Sequence, residues 1–95
     1  MEVVNVFTRP SYARSVKKFS SEEIKKINAA VALLAQTMGK PHIHSGLSIR
    51  KLRRAIFEIR AGLETRVLLA RQSGDIVLVF AGNLDQVRAW LKENL

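Results

Sequence analysis

Ninety-five residues without a cysteine carry sixteen Lys and Arg against eight Asp and Glu, a formal net charge of +8. The missing thiols exclude a disulfide scaffold, a thiolate zinc site and a cysteine nucleophile, and the basic excess puts polyanions first among partners. No apolar run reaches the roughly 18 residues of a membrane span, and Met1 to Asn5 lacks the regions of a secretion signal. A cytoplasmic chain with no membrane partner is therefore expected, folded as one domain over residues 1–95.

In chain order, Val3 to Phe7 is β-branched and apolar around Asn5 and reads as a strand. Pro10 suits a first helical turn, and Tyr12, Val16 and Phe19 then recur at i, i+4 and i+7, with Arg14, Lys17 and Lys18 outward. Ser20-Ser21-Glu22-Glu23 is a capping-box signature. It opens a second helix whose apolar stripe is Ile24, Ile27, Val31, Leu34 and Met38, stopped by Gly39-Lys40-Pro41. From His42 to Ile49 the chain is aperiodic and polar, and reads as loop.

The period then changes to two. Leu52 to Arg60 is expected as one strand, Ala61-Gly62 as its turn, and Thr65 to Ala70 as the next strand. Gln72-Ser73-Gly74-Asp75 is a tight turn. Ile76 to Ala81 is apolar on both faces, which marks a central strand covered on both sides. Asn83 or Asp85 can cap a last helix with Leu84, Val87 and Leu91 as its buried stripe. The order β-α-α-β-β-β-α predicts an α+β layer: an N-terminal strand and helical pair, a three-strand antiparallel meander and a short C-terminal helix. That helix is too short to cover its sheet face, which leaves a partly open surface for the meander's arginines.

The charge is concentrated there. Lys40, Arg50, Lys51, Arg53, Arg54, Arg60, Arg66 and Arg71 face only Glu58 and Glu64 in that stretch. Six of those eight cations are arginine, which grips phosphate bidentately at any working pH. A solubilising surface is the plainer reading of the same residues.

The run Gly46-Leu47, Arg50-Lys51-Leu52-Arg53, Ile56-Phe57-Glu58-Ile59-Arg60 and Arg66-Val67-Leu68-Leu69-Ala70 resembles the core words of the RelE/ParE superfamily of bacterial toxins. The closing Phe80-Ala81-Gly82-Asn83-Leu84-Asp85 through Trp90 is similar to the ending of one subgroup. The resemblance spans essentially the whole chain. It implies a RelE-like fold and a type II toxin held by a cognate acidic antitoxin. RelE-like members cleave mRNA in the ribosomal A site, and ParE-like members poison DNA gyrase. Arg66 matches the strand arginine that contacts the scissile phosphate, while Arg60 and the cluster Arg50, Lys51, Arg53 and Arg54 match basic positions before it. Two departures stand out: Leu84 replaces the subgroup's His and Arg88 its Tyr. Glu58 also replaces a lysine found in some active members.

Ribonucleolytic transfer needs a deprotonated 2′-OH, charge relief on the phosphorane and a protonated leaving oxygen. The expected catalytic set is Arg66, Arg60 and Glu58, with Glu58 as candidate base. Arg50, Lys51, Arg53, Arg54 and Arg88 are the expected nucleic-acid contacts. Tyr12 lies on an apolar stripe and reads as core. His42 and His44 form an H-x-H without a third ligand, so neither a metal nor a cofactor is expected. Ribosome-dependent mRNA cleavage is the leading expectation. A gyrase-directed toxin and a catalytically degenerate binding module are the alternatives. Whether Arg60 and Arg66 share a face depends on a strand register that the residues leave open.

Overall fold

In the computed structural model, residues 4–39, 49–53 and 55–95 are described. Lys40 and Pro41 of the helix stop, His42, His44, Gly46, Leu47 and Arg54 lie outside the described residues, as do the first residues of the chain, Val3 included. A short strand, β1 (Val6–Thr8), leads into α1 (Pro10–Val16) and the long α2 (Ser21–Gly39). Four strands follow as a meander, β2 (Ile49–Arg53), β3 (Ile56–Arg60), β4 (Arg66–Gln72) and β5 (Asp75–Gly82), and α3 (Leu84–Asn94) closes the chain. They form one five-stranded mixed sheet in the order β1-β5-β4-β3-β2. β1 joins parallel to β5, Val6 opposite Ile76, and the meander pairs are antiparallel.

The local chemistry explains most boundaries. Ser20 Oγ accepts the Glu23 amide at 3.2 Å while Glu23 Oε1 accepts the Ser20 amide at 3.1 Å, so the capping box forms as its spacing predicts. The Ser20 hydroxyl, donating to the same carboxylate oxygen at 2.8 Å, and then the Ser20 amide hold the Glu23 carboxyl below its usual pKa. At α3, Asn83 is the cap: its side chain accepts from the Gln86 amide at 2.8 Å, and Gln86 Oε1 accepts the Asn83 amide at 2.9 Å. The β4–β5 hairpin turns on Ser73 and Gly74, both at positive φ, with Gln72 opposite Asp75. Such a primed turn matches the strands' right-handed twist.

The predicted single strand Leu52 to Arg60 is instead two strands, with Arg53 opposite Ile56 and a register shift between Lys51 and Arg53. The expected three-strand meander is therefore a four-strand one, and Ile49, expected in the loop, begins β2. β2 is an edge strand. With a neighbour on one side only, it tolerates consecutive cations that mask alternation, and basic residues protect such an edge from pairing further.

Each sheet face has its own core. On one, Tyr12, Val16 and Phe19 of the α1 segment and Ile27, Ala30 and Leu34 of α2 pack on Ile59, Val67, Leu69, Ile76 and Leu78. Burial of Tyr12, 7 % exposed, pushes its phenol pKa up. On the other face, Val87, Trp90 and Leu91 of α3 pack on Leu68, Val77 and Val79, with Leu52, Ile56 and Phe80 at the margin. The sequence stripe placed Leu84 in this core, but at the first turn of α3 it is 40 % exposed. The helix passes the β2 side of the sheet without closing on it, which leaves the basic strands a wall to face.

Candidate nucleic-acid interface

The β3–β4 register sets Arg60 opposite Arg66 and Glu58 opposite Leu68. Residues directly opposed share a face, and so do residues two apart. Glu58, Arg60 and Arg66 therefore lie on the α3 side, and Arg50, opposite Glu58 across β2, joins them. The face left open by the sequence is settled by a register in which two arginines stand across from each other.

Arg66 and Glu58 form a pair, Nε to Oε1 at 3.9 Å, with side-chain exposures of 10 % and 9 %. At that length the contact is an ion pair rather than a hydrogen bond. The Arg66 guanidinium also donates from Nη1 to the carbonyls of Leu63 at 3.3 Å and Thr65 at 3.5 Å. A charge taken out of water must be compensated, and here both are. Arg66 is thus held by an internal carboxylate and turn carbonyls, and it borders a hollow of about 350 Å³ with Glu64, Asn83, Leu84 and Asp85. Two carboxylates on that rim make it a poor seat for a phosphate.

A second hollow, about 250 Å³, lies between β2 and α3. Arg50, Lys51 and Arg53 border it from β2, Glu58 from β3, and Leu84 and Arg88 from α3. Arg50, Lys51, Arg53 and Arg88 are all exposed, and among the described residues no carboxylate lies within 4 Å of their charged groups. Five of the residues singled out from the sequence thus converge on one cleft, with the Glu58–Arg66 pair between the two hollows and Leu84 bordering both. Arg60 does not line it. The register gives it the α3 side, but it stands exposed at the last position of β3 and also borders a largely apolar hollow with Lys26 and Leu33 of α2 and with Leu63. Arg54, His42 and His44 lie outside the described residues.

Chemically, the cleft offers four exposed cations, one buried carboxylate held by an arginine, and no described imidazole or phenol. Tyr12 is on the opposite face of the sheet, in the core under α1 and α2. Among the described residues no group of three His, Cys, Asp or Glu could hold a metal ion. No described helix is long and apolar enough to cross a membrane. Sequence reasoning did not place Leu84 on the cleft rim. Its signal was available only through the resemblance, which puts a functional His at that position.

The fold is that of the RelE/ParE toxins of type II toxin–antitoxin systems. YafQ from E. coli strain BL21(DE3) superimposes with a TM-score of 0.70 at 8 % identity, over 88 % of this chain and 97 % of that one. The RelB–RelE antitoxin–toxin complex from Methanococcus jannaschii gives 0.69 at 12 % identity, over 88 % and 96 %. The toxin–antitoxin complex RelBE2 from Mycobacterium tuberculosis gives 0.57 at 20 % identity, over 86 % and 99 %. No protein-family model matches the sequence, and no curated protein matches it.

Proposed function

We propose that the protein is a cytoplasmic type II toxin that inhibits translation by cutting mRNA on the ribosome, with the cleft between β2 and α3 as its RNA site. The observation that carries this reading is the convergence of Arg50, Arg53 and Arg88 around Glu58, a carboxylate fixed from behind by Arg66. Arg50 and Arg88 hold the scissile phosphate and relieve the charge that grows on it. Glu58 accepts the 2′-OH proton as that oxygen attacks phosphorus. The 5′-oxygen leaves with a proton from water, giving a 2′,3′-cyclic phosphate and a 5′-hydroxyl. Arg66 acts through Glu58 as a positioning residue, and Lys51 follows the backbone at the cleft's edge. Arg60 stands apart and serves, if at all, in approach to RNA.

With no imidazole or phenol among the described cleft residues to complete the proton transfers, the reaction leans on orientation from outside the protein. The ribosome supplies it by fixing the mRNA in a reactive geometry. Purified protein added to a translating extract should yield discrete cuts within reading frames, while the same transcript stripped of ribosomes stays whole at physiological salt. Efficient cutting of the naked transcript would overturn the ribosome requirement.

The acidic antitoxin expected for such a toxin would lie over the same basic cleft, neutralising cations that no described carboxylate pairs. Co-expression with a neighbouring acidic reading frame should give a stable complex. One observation favours a second reading, action on DNA gyrase without nuclease chemistry: Leu84 and Arg88 occupy the positions where the resembling subgroup has His and Tyr. Loss of gyrase supercoiling with no RNA cleavage would move the function there.

A further inference from the structure

On the opposite flank of α3 from the basic cleft lies a hollow of about 420 Å³ between α1 and α3. Phe80 and Trp90 line it as a stacked pair, ring centroids 5.9 Å apart and planes inclined by 22°. Both rings are half-buried, so each keeps a surface toward the hollow. Arg14 and Lys18 border it from the α1 side, with Ser11 and Asn94 completing the rim. Both cations are exposed, and the single ion pair among the described residues is the distant Glu58–Arg66. Among the described residues no Asp or Glu side chain lines this hollow. Glu23, which borders the smaller neighbouring hollow with Lys18, is engaged by Ser20 at 2.8 Å.

We infer that this hollow is a second binding site, for single-stranded RNA, in which one base stacks on the Trp90 indole and its flanking phosphates meet Arg14 and Lys18. The choice of RNA rests on the reading of the basic cleft as an RNA site; the position and chemistry of the hollow do not. An aromatic face accepts any base, because every base has a π-face, and neighbouring cations supply the salt-dependent grip on the backbone. Phe80 stiffens the platform from within the sheet. Ser11 and Ser15 hydroxyls are already committed, to the Val79 carbonyl at 2.6 Å and the Tyr12 carbonyl at 2.7 Å, so the polar rim stays pre-set. Arg88 and Trp90 are two residues apart on a helix, which turns them to opposite flanks of α3. A strand held on both flanks would straddle that helix.

Trp90 is the one tryptophan of the chain, so its fluorescence reports this hollow alone. Deca-adenylate titrated into the full-length protein should quench it. The Arg14→Ala/Lys18→Ala double variant should bind at least about tenfold more weakly, with the slope of log K against log salt reduced by roughly 1.4, the share of two single-strand phosphates. Arg50→Ala should leave the quenching amplitude intact, which separates this site from the basic cleft. Adenosine monophosphate and a deca-glutamate peptide should quench little at the same concentration. Absence of quenching, quenching that survives the double variant while circular dichroism shows it folded, or equal quenching by the nucleotide or the peptide would each overturn the site. Because the readout is binding, a protein that cuts no RNA still tests it, and one that cuts RNA without quenching refutes this hollow alone.

Discussion

Arg66 and Glu58 meet diagonally across adjacent strands at 3.9 Å, and neither side chain is more than a tenth exposed. Removing one partner strands the other as a buried charge, which typically costs about 3–5 kcal/mol. Arg66→Ala and Glu58→Ala should each lower the melting temperature by more than about 10 °C in a domain of this size. The joint replacement Glu58→Gln/Arg66→Met should lose much less, since no lone charge remains. A thermal melt of the three variants decides it. Melting of Arg66→Ala at the wild-type temperature would show that the pair contributes little to folding.

The cleft cations behave differently. Arg50 and Arg88 are exposed and have no described carboxylate partner. Arg50→Ala and Arg88→Ala should change stability by no more than about 0.5 kcal/mol, yet relieve growth inhibition on induced expression. Arg88→Lys should restore only part of it, because the planar fork is lost. Full toxicity of both alanine variants would remove the cleft from the site.

Leu84 borders both hollows and is 40 % exposed, so the position accepts a polar ring without a core penalty. Leu84→His should raise the rate of ribosome-coupled cleavage by at least about tenfold, the low side of what a positioned acid or base supplies. The gain should be greatest near the imidazole pKa and fade at alkaline pH. Primer-extension mapping of cuts over a pH series measures it, and an unchanged rate would show that a proton donor at that corner does not reach the leaving oxygen.

Acid sensitivity has a defined source at the start of α2. Hydrogen bonds from Ser20 hold the Glu23 carboxyl below its ordinary value of 4.5. A carboxyl with a depressed folded pKa adds stability that is present above the unfolded value and is lost as pH falls through the folded one. Stability should therefore decline on acidification below about pH 4.5, and Glu23→Gln should flatten that part of the curve. Urea midpoints measured between pH 3 and 6 (the window follows from the direction of that shift) check this, and coincident curves would refute it.

Two glycines separate steric from backbone effects. A Cβ on Gly82 would stand 2.9 Å from Gln86 Cβ and Phe80 Cε2, against the capping box and the ring that backs Trp90. Gly82→Ala should destabilise by about 1–3 kcal/mol and alter the Trp90 emission. Gly74 has φ +85° with nothing within 4 Å of an added Cβ. Gly74→Ala should lose only about 1 kcal/mol, from backbone conformation, and leave the emission unchanged. Equilibrium unfolding followed by fluorescence distinguishes the two.

The helices, the Ser20–Glu23 cap and the apolar fifth strand were legible from local signals, as was the Ser73-Gly74 turn between apolar runs; at α3 the residues left Asn83 and Asp85 as alternative caps, and the Gln86 amide selects Asn83. The β2–β3 corner was not. The two-residue link Arg54-Ala55 has no Gly, Asn, Asp or Pro, and the Lys51/Arg53 register shift breaks the alternation that would have separated the strands. In the site, the side chains were identifiable by charge and by resemblance, but their grouping was not. The placement of Arg50 beside Arg88, and of Arg60 away from both, follows from strand order and from where α3 crosses the sheet. The burial of Arg66 depended on the same register, which opposes it to Arg60 and leaves Glu58, two residues along β3, as its diagonal partner.

Parallel pairing of β1 with β5 joins Val6 to Ile76 and Thr8 to Leu78 across nearly the whole chain. During synthesis the first strand must wait for its partner, and contacts of such sequence separation form late. The cleft waits longer still, since Leu84 and Arg88 belong to the last helix. Until α3 docks, the face that Arg50 and Glu58 share stands without its wall.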